Sequence, residues 1–255
     1  MKFSEFTQKL NEHLLLNEAG DRAERQENGF IEAIASAVEV VGGPITLVAG
    51  NTTIRDVIGA AKYTGRQASG SEPYTDVQVF VKGKRDPINL SMKGESAPSL
   101  AGGGLRGIET VIPGLGSRFF KAAFHHHSKT LQAGDKVPDL FGKLNDKDKL
   151  LLVQGNKEIG GPIDYMYIGP MDVRSRLRGR MLNVNGKAIE STSYARDHDL
   201  YFRLRARRGD QRFDPEAVDR MGVPKIYGKS PSKGDSAGRL AIIDKVSSRR
   251  DVIDF

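Results

Sequence analysis

The sequence predicts an α/β (α+β) fold: a mixed central sheet flanked by helices, followed by a basic, β-rich C-terminal portion. Three patterns point there. Apolar residues recur at helical spacing through the first 41 positions. Two neighbouring segments, Thr75–Val81 and Ile88–Lys93, alternate apolar and polar residues with period two. The last third carries alternating arginines within apolar strands. The expected organisation is an N-terminal amphipathic helix at 1–20, an α/β core at 21–170 and the basic portion at 171–255.

Phe3, Phe6, Leu10, Leu14 and Asn17 fall on one helical stripe, suited to core packing or to docking. Asp21 is a candidate cap for a second helix over 22–41, with Ile31, Ile34, Val38 and Val41 on its apolar side. Gly42-Gly43-Pro44 ends it. Ile45–Ala49 then reads as a strand, and Thr53–Tyr63 as a helix capped at Asn51 or Thr52. A polar loop over Gly65–Pro73 leads into the alternating pair, whose link Lys82-Gly83-Lys84-Arg85-Asp86-Pro87 is short and turn-forming.

Beyond Lys93 lies a glycine-rich stretch in which Gly102, Gly104 and Gly107 match G-x-G-x-x-G. The acidic residue expected about 20 positions later is missing, which argues against a dinucleotide site. Residues 115–131 read as a helix bearing His125-His126-His127; consecutive helical positions fan about 100° apart and cannot share one metal. Asp135–Lys149 is charged and loop-like, and Leu150–Val153 and Ile163–Ile168 are strand candidates. Residues 208–239 are rich in Gly, Pro, Ser, Lys and Asp, as a flexible or partner-ordered segment would be, and Leu240–Val246 offers a final strand.

The chain has 255 residues, 38% of them hydrophobic, enough to bury a sizeable core. With no cysteine, disulfides, thiolate zinc sites and cysteine nucleophiles are excluded, and a reducing compartment fits. No apolar run reaches membrane-spanning length, and Met1–Phe6 lacks the features of a signal peptide. Net charge is +7, and its distribution is uneven. Residues 1–170 hold 20 Lys+Arg against 20 Asp+Glu; residues 171–255 hold 19 against 12. Arg174, Arg176, Arg178 and Arg180 alternate along one segment, and Arg203, Arg205 and Arg207 along another whose Leu200, Phe202, Leu204 and Ala206 face inward. Such rows suit phosphate oxygens, an acidic partner, or a solvated sheet face with acidic neighbours.

On the 75–81 and 88–93 pair, Val77, Val79, Leu90 and Met92 take one face. Asp76, Gln78, Asn89, Ser91 and Lys93 take the other. A polar outer face is common on half-buried strands. Here, however, Glu72-Pro73-Tyr74-Thr75-Asp76, a strand, a turn and Asn89-Leu90-Ser91-Met92-Lys93 resemble the core of the restriction-endonuclease-like PD-(D/E)XK superfamily. The stretch is similar to nuclease-like proteins of tailed phages with a "TD…SxK" motif and a Gly/Ser-rich loop, over roughly residues 25–130. The resemblance implies a restriction-endonuclease-like sheet and a DNA endonuclease dependent on Mg²⁺ or Mn²⁺. It also implies DNA and phage structural proteins as partners, without a membrane, in the host cytoplasm or the virion.

Within that resemblance Asp76 matches the metal-binding aspartate and Lys93 the catalytic lysine, while Gln78 and Ser91 would position water or phosphate. Ser91 stands where the family usually carries Glu or Asp, and a hydroxyl is a weaker ligand for a hard cation. A helix glutamate, Glu32 first and Glu27 in reserve, or Glu95 just past Lys93, would complete the metal site. The rival expectation is a non-catalytic virion or assembly protein built on a degraded nuclease fold.

Overall fold

The computed structural model describes residues 18–65, 73–95, 99–100, 104–205, 212–216, 239–244, 246 and 251–255. Two compact units emerge, and both are discontinuous in sequence. The first gathers residues up to 64, 75–96 and 164–189; the second gathers 65–74, 97–163 and 190–255. The basic residues 171–255 are therefore divided between the units. The stripe expected at 3–17 lies outside the described residues. Among the described residues, no helix is long and apolar enough to cross a membrane.

In the first unit, helix α1 (Glu18–Val41) buries Phe30, Ile34 and Ala37. These meet strands β1 (Ile45–Ala49), β2 (Thr52–Lys62), β3 (Val77–Val81) and β4 (Ile88–Gly94). Further along come β7 (Tyr165–Gly169), β8 (Ser175–Arg178), β9 (Met181–Val184) and β10 (Lys187–Glu190). The eight strands are ordered β10-β7-β4-β3-β2-β1-β9-β8. The sheet is mixed, since β1 runs parallel to β9 and β4 parallel to β7, while the hairpins are antiparallel.

The segment expected as a helix at 53–63 is strand β2. Gly50, with φ 62°, and Asn51 form the two-residue turn that returns the chain antiparallel to β1, pairing Ala49 with Thr52. Thr52, Thr53, Ile54, Val57 and Ile58 favour an extended chain. The helical look comes from a bulge: Asp56 takes φ 57°, and the register against β1 slips between Leu47↔Ile54 and Ile45↔Val57. The buried residues Ile54 and Val57 end up three apart, a spacing that imitates a helix.

In the second unit, β13 (Val252–Ile253), β6 (Leu140–Lys143), β11 (Tyr201–Arg205), β12 (Arg239–Ile243) and β5 (Ser99–Leu100) form a five-stranded sheet in that order. Helices α2 (Gly104–Val111), α3 (Leu115–Thr130), α4 (Asp146–Gln154) and α5 (Ser191–Asp197) belong to the same unit. Phe119 of α3 meets Phe202 at a tilt, with ring centroids 5.3 Å apart, and Phe255 edge-on at 5.0 Å; Leu140, Leu204 and Ile242 of the sheet are also buried. The stretch 135–149, expected as loop, contains β6 and the start of α4. Leu150–Val153, expected as a strand, lies inside α4. Asn145 explains both, because its side chain accepts the Asp148 N–H at 2.9 Å and caps the helix, with Asp146 and Asp148 in the first turn.

The three histidines ride on α3. His127 is fully buried, and neither ring nitrogen has a hydrogen-bond partner. Burial, reinforced by neighbouring His126, lowers its pKa to about 4. The folded state thus refuses a proton that the unfolded chain accepts below about 6.5. Stability contributed by neutral His127 is complete above pH 6.5 and falls progressively toward pH 4. A His127→Leu variant should show a shallower loss of thermal midpoint across that window than the parent, measured by calorimetry at stepped pH.

Candidate functional site

Strands β3 and β4 pair with Val77 opposite Leu90, Gln78 opposite Asn89 and Val79 opposite Ile88. Asp76 precedes this register, and its carboxylate reaches across to Ser91, Met92 and Lys93. Period two then sends Asp76, Gln78, Asn89, Ser91 and Lys93 to the face that α1 does not cover. Their contacts follow. Gln78 Nε2 donates to Asn89 Oδ1 at 3.0 Å. Asp76 Oδ2 accepts from the Met92 N–H at 2.6 Å and from Ser91 Oγ at 3.2 Å, with Lys93 Nζ 3.7 Å away. The Asp76 N–H in turn donates to the Leu90 carbonyl at 2.9 Å. Asp76 is thus held from both its backbone and its carboxylate.

Helix α1 delivers the second acid. Gln26, buried, donates its amide to the carbonyls of Lys93 (3.2 Å), Gly169 (2.8 Å) and Pro170 (3.1 Å). It thereby pins the helix to the ends of the parallel pair β4 and β7. The next residue, Glu27, is also buried. Its carboxyl pKa is raised, chiefly by burial; the Lys62 ammonium opposes the rise and the negative charge of Asp76 adds to it. Lys62 Nζ stands 3.0 Å from Glu27 Oε2 and 3.7 Å from Glu24 Oε1. The contact with Glu27 is ionic rather than well directed, so this buried oxygen accepts no hydrogen bond of good angle. Lys62 is itself raised, mainly through Glu27. Two ion pairs, Asp76 with Lys93 and Glu27 with Lys62, thus stand at the same end of the sheet.

Other expected site residues lie elsewhere. Glu32 is exposed and lines a groove with Ser36, Ser175 and Leu177, well round the helix from Glu27. The helical stripe 27-31-34-38-41 includes Glu27 and omits Glu32, a signal present in the sequence. Glu95 is exposed just past β4, and its charge acts on Tyr167, whose pKa is raised to about 12 chiefly by burial. Lys62 and Gln26 are not among the residues the sequence points to: 53–63 has the spacing of a helix, and nothing local marks Gln26 as a partner of distant carbonyls. No group of three or more His, Asp or Glu positioned for a metal occurs among the described residues.

The arginine rows separate as well. Arg174, Arg176 and Arg178 are exposed along edge strand β8, whereas Arg180 sits in the β8–β9 turn and donates to the Pro44 carbonyl at 3.4 Å. Arg203 is tied to Asp139, its Nε at 3.0 Å from Oδ2, and so presents no free guanidinium. Arg205 belongs to β11, and Arg207 lies outside the described residues.

The Asp76 carboxylate has a structural duty that can be measured. Asp76→Ala leaves the Met92 N–H without its acceptor and should lower unfolding stability by about 1–3 kcal/mol. Asp76→Asn keeps an acceptor oxygen and should cost less, as urea unfolding of the two variants will report.

No protein-family model, curated protein or solved structure matches the chain significantly.

Proposed function

We propose that the Asp76–Glu27–Lys93 end of the sheet is a divalent-metal-dependent phosphodiester-cleaving site acting on DNA. The observation that carries this reading is a strand aspartate with a lysine 3.7 Å away, beside a buried helix glutamate whose carboxyl pKa that aspartate's charge helps to raise. The donor set suits Mg²⁺ or Mn²⁺: oxygen ligands only, two carboxylates, and a buried Glu27 oxygen that accepts no well-directed hydrogen bond. Asp76 and Glu27 would hold the ion, with Lys62 withdrawing from Glu27. A bound ion of this kind polarises a phosphate and lowers the pKa of water.

The protein's own groups supply the rest. The Lys93 ammonium, already beside Asp76, donates to a phosphate oxygen as charge builds there. Ser91 and the Gln78–Asn89 pair orient neighbouring water. Gln26 acts as a positioning residue, fixing Glu27 through the carbonyls at the ends of β4 and β7. Arg174, Arg176 and Arg178 contribute phosphate contacts that are independent of sequence.

A second reading is favoured by the way Asp76 Oδ2 is already occupied by Met92, Ser91 and Lys93, as a purely structural carboxylate would be. On that reading the chain is a non-catalytic virion or assembly protein that retains the sheet. Plasmid nicking separates the two. With Mg²⁺ or Mn²⁺ the parent should nick supercoiled DNA, and Asp76→Asn, Glu27→Gln and Lys93→Ala should each reduce the rate at least about 100-fold, the scale of losing one charge-stabilising group. A parent that cuts no substrate with either metal selects the assembly reading.

A further inference from the structure

The sheet end opposite Asp76 holds a cleft of about 670 Å³ between two hairpin tips. One wall is Thr53–Asp56 of β2, and the other is the β3–β4 turn with Lys82 and Lys84. The bulge at Asp56 opens it, because below Asp56 strand β2 follows β1 and above it β2 follows β3. The Lys82 N–H donates to the Asp56 carbonyl at 2.8 Å and closes the floor. Arg55, Lys82 and Lys84 are exposed, and none makes an ion pair among the described residues. Asp56 is the sole acid lining the cleft.

Strand register joins Arg55, on the β2 wall of this cleft, to the arginine edge. Arg178 pairs with Met181, Met181 with Thr46, and Thr46 lies beside Arg55 across the β1–β2 hairpin. Arg176 pairs with Asn183, Asn183 with Val48, and Val48 with Thr53. Side chains in each row share one face. Their opposite-face neighbours Leu177, Leu182, Leu47 and Ile54 belong to the core beneath α1. The rows are exposed or only half-buried, and β8, β9 and β1 contain no Asp or Glu. At about 4.8 Å between strands, the four steps from β8 to β3 span about 19 Å. Along β8, alternate residues recur about every 6.6 Å.

We infer that Arg174, Arg176, Arg178, Arg55, Lys82 and Lys84 form one continuous surface for a nucleic-acid phosphate backbone, remote from the Asp76–Lys93 end. Duplex DNA presents one phosphate per strand about every 3.4 Å, so the surface matches roughly five to six base-pair steps across the sheet and every second phosphate along β8. Unpaired cations with almost no interspersed acid fit a regular polyanion better than a protein partner, whose interface would mix charges around an apolar centre. The inference does not rest on cleavage: a protein that never cuts would carry the same surface.

The test is duplex binding by anisotropy, without metal, over a range of salt. Six contacts predict a log–log slope near −5, since each contributes about −0.9. Arg55→Gln should flatten the slope by about 0.9 and Lys82→Gln/Lys84→Gln by about 1.8, matching Arg176→Gln/Arg178→Gln. Asp76→Asn should leave the slope unchanged. Absence of duplex binding, or an unchanged slope in the cleft variants, would overturn the inference. Equal binding of poly-glutamate at matched charge would overturn it in favour of an acidic protein partner. Nicking is read separately, so its failure alone leaves this result standing.

Discussion

Helix α1 lays Phe30, Ile34 and Ala37 across the eight-stranded sheet, and this contact decides which face of β1, β2 and β3 is dry. Phe30 meets Tyr167 edge-on with ring centroids 5.0 Å apart, over a floor that includes Val77, Val79, Leu90 and Met92. Because side chains alternate, a dry face on one side commits the intervening residues to the other. Asp76, Ser91 and Lys93 are grouped for that reason, and so are Arg176, Arg178 and Arg55. A slip of one residue in any strand would bury guanidinium groups or carboxylates under the helix, at a cost that ordinary packing does not offset. The polar face is a by-product of where the apolar face went.

The same contact carries chemistry at its N-terminal end. The buried face of α1 is apolar at Phe30 and Ile34 but changes to Gln26 and Glu27 one turn earlier. Gln26 satisfies carbonyls at the ends of β4 and β7, where the sheet ladder runs out. Glu27 has no such partner set, so its charge is sustained mainly by Lys62 and opposed by Asp76. Glu27 is thus a buried carboxyl, repelled by a second acid and attracted by one ammonium.

The two ends of the sheet differ in sign. At the Asp76 end acids and lysines neutralise one another at contact distance. At the opposite end, and along β8, cations are exposed and make no ion pair among the described residues. Exposed surface charges gain little from isolated ion pairs, so leaving these unpaired costs the fold little and leaves a field available for an anion. Arg203 shows the contrary arrangement, its guanidinium neutralised by Asp139 on the β11 sheet. Arginines that look equivalent in sequence therefore divide into a structural one and a set that faces outward.

Local chemistry determined much of this protein from the sequence alone. Alternation settled the partition of the 75–81 and 88–93 residues and the inward set Leu200, Phe202 and Leu204, because a strand's period is a property of the backbone itself. The apolar stripe on α1 was equally legible, since helical spacing places every residue by angle, although the choice of Glu32 ahead of Glu27 was not: Glu27 is buried and Glu32 exposed. Tertiary structure decided the rest. The bulge at Asp56 broke the period of β2 and disguised a strand as a helix, and with it hid Lys62 and Arg55. Asn145 turned a leucine run into a helix by capping it. Whether an arginine meets an aspartate, and whether a helix glutamate meets a strand aspartate, depends on residues tens of positions apart. Such meetings are set by how sheets and helices pack, which no local period encodes.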